Sequence, residues 1–137
     1  PKYFIDRSFK HFLEYFQSQV STPIELVFNG DIFDFDSVMA LPNYQKFPYT
    51  WIEKVRGLNS EEEKSVFKIE VILNDHSVWV EAVREFILRG NRVVFVIGNH
   101  DLELHWTSVR SKILEKLNLP EEKKEYVRFC EWFYLSN

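Results

Sequence analysis

Arg92-Val93-Val94-Phe95-Val96-Ile97-Gly98-Asn99-His100-Asp101 is the stretch that decides the fold. Five of its first six residues are apolar, four of them β-branched, and the run is too short for a helix, so it predicts a buried strand. Gly98 then lets the chain turn, and three polar side chains follow at once. The same pattern stands upstream. Ile24-Glu25-Leu26-Val27-Phe28, bounded by Pro23 and Gly30, predicts a second short strand, and Asn29-Gly30-Asp31-Ile32-Phe33-Asp34 follows it. Two of the four glycines in the chain thus stand just ahead of polar clusters that end apolar strands.

Helical periodicity fills the intervals. Phe9, Phe12, Leu13 and Phe16 predict an amphipathic helix over 6–19, stopped by Ser21-Thr22-Pro23. Ser60-Glu61-Glu62-Glu63 has the form of a capping box opening a helix that runs through Val66, Ile69, Ile72 and Leu73 to Asn74. A further helix over 77–89 buries Val80, Val83, Phe86 and Ile87 and stops at Gly90. Another spans 104–117, ended by Asn118 and Pro120, and 126–135 predicts a last strand. Residues 36–59 have no period. With Pro42, Pro48 and Gly57 among Tyr44, Phe47, Tyr49 and Trp51, they read as a long aromatic connection. Strands alternating with helices define an α/β fold with a mostly parallel sheet flanked by helices. One domain over 1–137 is expected, with an aromatic and helical insert at about 36–75. In such sheets ligands bind beyond the carboxyl ends of the strands, where both polar clusters lie.

Composition narrows the function. The chain has 137 residues, and its single Cys excludes a disulfide framework or a Cys-rich zinc site. Seventeen basic against twenty-one acidic residues give a net charge of −4, which disfavours nucleic acid as a partner. No apolar run reaches the ~20 residues of a membrane span and no signal peptide is visible, so a cytoplasmic protein is expected. Thirteen Phe, six Tyr and four Trp are enough rings for a bulky core, with some left to line an apolar groove or a lid. Phe35 to Trp51 is the candidate substrate cover.

Carboxylate, amide and imidazole groups at adjacent strand ends are donors that Mn²⁺, Fe or Zn²⁺ accept. Asp31 has two oxygens with which to bridge two ions, Asn99 a neutral amide oxygen for one, and Asp34 suits a partnership holding the His100 ring. Simpler roles compete: Asp34 as a helix cap, Asp101 as a carboxylate favoured by a helix N-terminus, His105 and His76 as packing or capping residues, His11 as a solvated one. Cys130 is expected to be a core thiol, and Glu121-Glu122-Lys123-Lys124-Glu125 a solvated turn.

Gly30-Asp31-Ile32-Phe33-Asp34 and Gly98-Asn99-His100-Asp101, in this order and each closing an apolar strand, resemble the GDxxD and GNH[DE] motifs of the calcineurin-like metallophosphoesterases. The resemblance implies part of that family's α/β/β/α sandwich and a phosphomonoester, phosphodiester or pyrophosphate hydrolase using two divalent ions, Mn, Fe or Zn. It implies Asp31 as the metal-bridging carboxylate and Asn99 as a ligand of the second ion. His100 would act as the acid toward the leaving oxygen or stabilise the phosphoryl transition state, with Asp34 orienting it. The substrate would be a phosphorylated small molecule or nucleotide. Two departures count: no Asp-x-His occurs in the chain, and no Gly is followed by His, so the family's first and last motifs are missing. A fragment with weak or no activity of its own is the expectation. A non-catalytic protein-binding scaffold on the same fold, or a nuclease of the superfamily, are the alternatives.

Overall fold

The computed structural model describes residues 5–43 and 47–135. Helix α1 (Asp6–Gln19) leads into strand β1 (Glu25–Asn29), and a single 3-10 turn follows at Phe35–Ser37. Helices α2 (Trp51–Arg56), α3 (Glu62–Asp75) and α4 (Ser77–Leu88) precede strand β2 (Arg92–Val96). A 3-10 turn at Leu102–His105, α5 (Thr107–Leu117), the short α6 (Glu121–Lys124) and strand β3 (Val127–Cys130) complete the described chain. The sheet has the order β1-β2-β3 and both pairings are parallel, so the α/β architecture with helices flanking a parallel sheet is observed.

Register is set by rings. Phe28 lies opposite Phe95, and Phe95 opposite Phe129. The three rings stack across the sheet with centroids 5.1 and 5.2 Å apart. Such pairs contribute about 0.5–1.5 kcal/mol each beyond burial. A one-residue slip would turn the ladder to the other face, so the ladder also fixes where each strand ends. Leu26, Phe28, Val93, Phe95, Val127 and Phe129 share one face by alternation, and that face packs with Leu13, Ile69, Trp79, Val83, Val109 and Ile113 from the helices. At the strands' amino end, buried Asn91 joins three elements: its Oδ1 accepts Ile24 N at 2.9 Å, and its Nδ2 donates to Phe86 O and Gln17 Oε1.

The opposite face is built differently. Val94 and Val96 are buried there but stand outside the helix-facing core. Tyr134 crosses this face, its hydroxyl donating to Glu25 Oε2 at 2.6 Å and raised in pKa by that bond. The last strand is therefore shorter than the expected 126–135, because the chain leaves the ladder after Cys130. Cys130 is half-buried rather than a core thiol, since its alternation places it on this second face. The charged run 121–125 includes the single turn of α6.

The capping box sits elsewhere than Ser60. Helix α3 starts at Glu62, which leaves Ser60 too far ahead to cap it, and Glu61 at the cap position makes no side-chain cap bond. The capping box is Thr50 and Glu53 at the head of α2, inside the stretch read as loop. Glu53 also accepts Asn59 N and receives Lys64 Nζ at 2.7 Å, and both Glu53 and Lys64 are buried. This cluster clamps the insert to α3. Lys64 above all, with the Thr50 N–H, holds the Glu53 carboxyl down at about 2 against an ordinary 4.5. A depressed carboxyl contributes stability that is complete above its unfolded value and lost as pH falls through the folded one. Urea unfolding midpoints should therefore fall between about pH 4.5 and pH 2, and Glu53→Gln should flatten that part of the profile while lowering stability at pH 7. A profile of identical shape in the variant would show that Glu53 does not set the acid limb.

Candidate functional site

The two polar loops meet at the carboxyl ends of β1 and β2. Pairing of Asn29 with Val96 brings Gly30 beside Gly98, and a Cβ on Gly30 would lie 3.2 Å from Gly98 Cα. Gly30 and Asp31 both adopt positive φ, +83° and +52°. Glycine takes that conformation freely, and Asp is among the few residues that tolerate it. The left-handed pair turns the chain back over the sheet end, so that Asp31 packs on the bare α-carbon of Gly98. Asp31 Oδ1 accepts the His100 N–H at 2.9 Å, which ties the first loop to the second. Asp31, Asn99 and His100 are all exposed at this junction.

Beneath them lies a residue that the sequence reading put to another use. Asp101 is fully buried. Its Oδ1 accepts Gly98 N at 2.6 Å, and its Oδ2 accepts Ile32 N at 2.9 Å and Phe33 N at 3.5 Å. It makes no cap bond to the 3-10 turn that follows, so its role is to bracket the two loops rather than to complement a helix end. The sequence signal was available only as the carboxylate that ends the polar cluster, because backbone N–H partners leave no trace in side-chain identity.

Asp34 caps the 3-10 turn: its Oδ1 accepts Ser37 N at 3.1 Å, and its carbonyl accepts the Ser37 hydroxyl. Asp36 is exposed on the same turn. His105 stacks on Trp106 at 4.3 Å and its Nδ1 lies 3.2 Å from Leu102 O, a packing role. His76 Nδ1 pairs with Asp6 Oδ1 at 2.8 Å, joining the start of α1 to the α3–α4 junction. His11 is exposed. Of the candidate cover, Phe35 and Phe47 are core residues, Trp51 is 76% exposed, and Tyr44 lies outside the described residues.

Asp31 and Asn99 offer a carboxylate and an amide oxygen, donors that suit a divalent cation. Among the described residues, no group of three or more His, Cys, Asp or Glu gathers as a metal site, so the donor set in hand is partial. No helix among them is long and apolar enough to cross a membrane. Comparison of the chain with protein-family models, with curated proteins and with solved structures finds no match.

Proposed function

We propose that this chain carries part of the site of a metal-dependent phosphoester hydrolase of the calcineurin-like type. One observation carries the reading: the junction in which Asp31 rests on Gly98 and accepts the His100 N–H, with Asn99 exposed between them. Asp31 and Asn99 are the residues that would hold divalent ions, which when bound polarise a phosphoryl oxygen and supply hydroxide near neutral pH. His100 is exposed and fixed through its own backbone, a placement suited to donating a proton to a departing alkoxide. The Asp34 carboxylate accepts Ser37 N as the cap of the 3-10 turn, and a role for it in orienting the imidazole rests on the motif resemblance alone. The remaining ligands belong to the two motifs this sequence lacks, so the 137 residues alone should turn over little or no substrate.

The test is Asp31→Asn with Mn²⁺, followed by the electron paramagnetic resonance signal of the free ion. Asn keeps tolerance of positive φ and an oxygen for His100 N, and removes only the charge. The wild-type chain should take up about one loosely held ion, and the variant none. Equal uptake by both would overturn the assignment of Asp31. Two tight ions with full turnover of an aryl phosphate would overturn the partial-site reading instead.

A protein-binding scaffold is the second reading. Trp132 at 87% and Phe133 at 72% exposure favour it, as adjacent rings open to a partner.

A further inference from the structure

A cavity of about 450 Å³ opens behind the first polar loop, between the start of α1 and the α3–α4 junction. Its walls are Phe9, Phe28, Phe33, Ile72, Leu73 and Trp79. The rings hold one another apart in an open cage, with Trp79 at 5.6 Å from both Phe28 and Phe33 and at 6.1 Å from Phe9. Ring pairs at these separations sit near their preferred geometry, so the walls gain little by closing inward. A cavity of this size, mostly apolar with a few polar groups at the rim, is of the kind that takes a small ligand.

The rim defines the occupant. Asp6 Oδ1 is engaged by His76 Nδ1, Asp34 Oδ1 by Ser37 N, and the Ser37 hydroxyl by Asp34 O. With these groups committed to one another and two of them carboxylates, the rim repels an anion and leaves apolar surface as what a ligand would meet. The cavity borders the first polar loop, because Ile32, Phe33 and Asp34 wall it and Asp31 immediately precedes them in the chain. We infer that the cavity receives the uncharged apolar part of the substrate, the alkyl or aryl alcohol of a phosphoester whose phosphoryl group lies at Asp31 and Asn99. This rests on the phosphoester reading and narrows it to esters of apolar alcohols.

The experiment is a methyl-resolved NMR titration of the whole chain with butanol, hexanol, octanol and octyl phosphate, reading Ile32, Ile72 and Leu73. The alcohols should shift these methyls saturably and bind about three- to fourfold more tightly per added methylene. Ile72→Trp, which fills the cavity, should weaken octanol at least about tenfold. Ser37→Phe at the rim serves the same purpose if Ile72→Trp does not fold. With Mn²⁺ present, octyl phosphate should outbind octanol about tenfold, and Asp31→Asn should abolish that gain. Absence of saturable shifts at these methyls would overturn the cavity as a ligand site, whatever Mn²⁺ does at Asp31. Octanol binding with no gain from the phosphate would instead overturn the substrate assignment, and the phosphoryl reading of the Asp31 loop with it.

Discussion

Gly98→Ala is expected to lower the melting temperature by about 10 °C and to release Asp31 from His100, although it adds one methyl group at a loop. A Cβ at this position would overlap Asp31 Oδ1 and Asp31 N and lie 2.9 Å from Asp31 Cγ. Two of those atoms belong to a side chain that could swing away, but the third is backbone. Asp31 already sits at φ +52°, and Gly30, held at +83°, is so close to Gly98 that a Cβ on it would lie 3.2 Å from Gly98 Cα. The first loop can therefore yield only by moving as a unit, which breaks the bonds from Ile32 and Gly98 to Asp101 as well. Overpacking against such a base costs about 3 kcal/mol, the upper end of its usual range. Gly90→Ala is the control. Gly90 also has a positive φ, +95°, but a Cβ there would meet nothing within 4 Å, so the change carries only the backbone term of about 1–2 kcal/mol. Thermal unfolding of both variants, with the His100 amide followed by NMR, separates the two costs. Equal melting temperatures for Gly98→Ala and Gly90→Ala, with the His100 amide unmoved, would refute the close contact between the loops.

The legible part of this molecule is the part whose signal lies in side chains. Strands β1 and β2 and the helices α1, α3 and α4 follow from the pattern of apolar residues, since burial is what forms them. The meeting of Asp31 with the second loop was legible for a different reason: in a parallel sheet, polar residues that end adjacent strands come together. What escaped were features that depend on distance or on backbone. Thr50 and Glu53 carry the capping signature as plainly as Ser60 and Glu63 do, yet Pro48 and Gly57 on either side made a helix there look improbable. Six residues of α2 hold because Glu53 is anchored by Lys64, eleven positions on in the sequence, an ion pair that no local pattern announces. Asp101 escaped more completely, because two of its three partners are amide groups of residues 68 and 69 positions away.

That bracket supplies the other large effect. Asp101→Ala removes the acceptor for Gly98 N, Ile32 N and Phe33 N at a position with no exposure to water. A buried donor left unpaired costs about 1–3 kcal/mol, so losing the bracket should cost about 3–5 kcal/mol even if the longest of the three bonds counts for nothing. Asp101→Asn separates hydrogen bonding from packing, because it has nearly the same volume but only one acceptor oxygen. Its amide nitrogen would face an N–H of one loop or the other, donor against donor, so Asn should recover little of the loss. The expected order of stability in urea is wild type well above Asn, with Asn close to Ala. If Asp101 served only to fill space, Asn would instead match wild type. The consequence for the site follows from geometry. Once Gly98 and Ile32 are no longer held to one carboxylate, Asp31 and His100 lose their common support, and the Asp31–His100 bond should open in both variants, seen as faster exchange of the His100 amide proton. A slow His100 amide in Asp101→Ala would mean that the glycine contact alone keeps the loops together, and that the buried carboxylate is dispensable to the site.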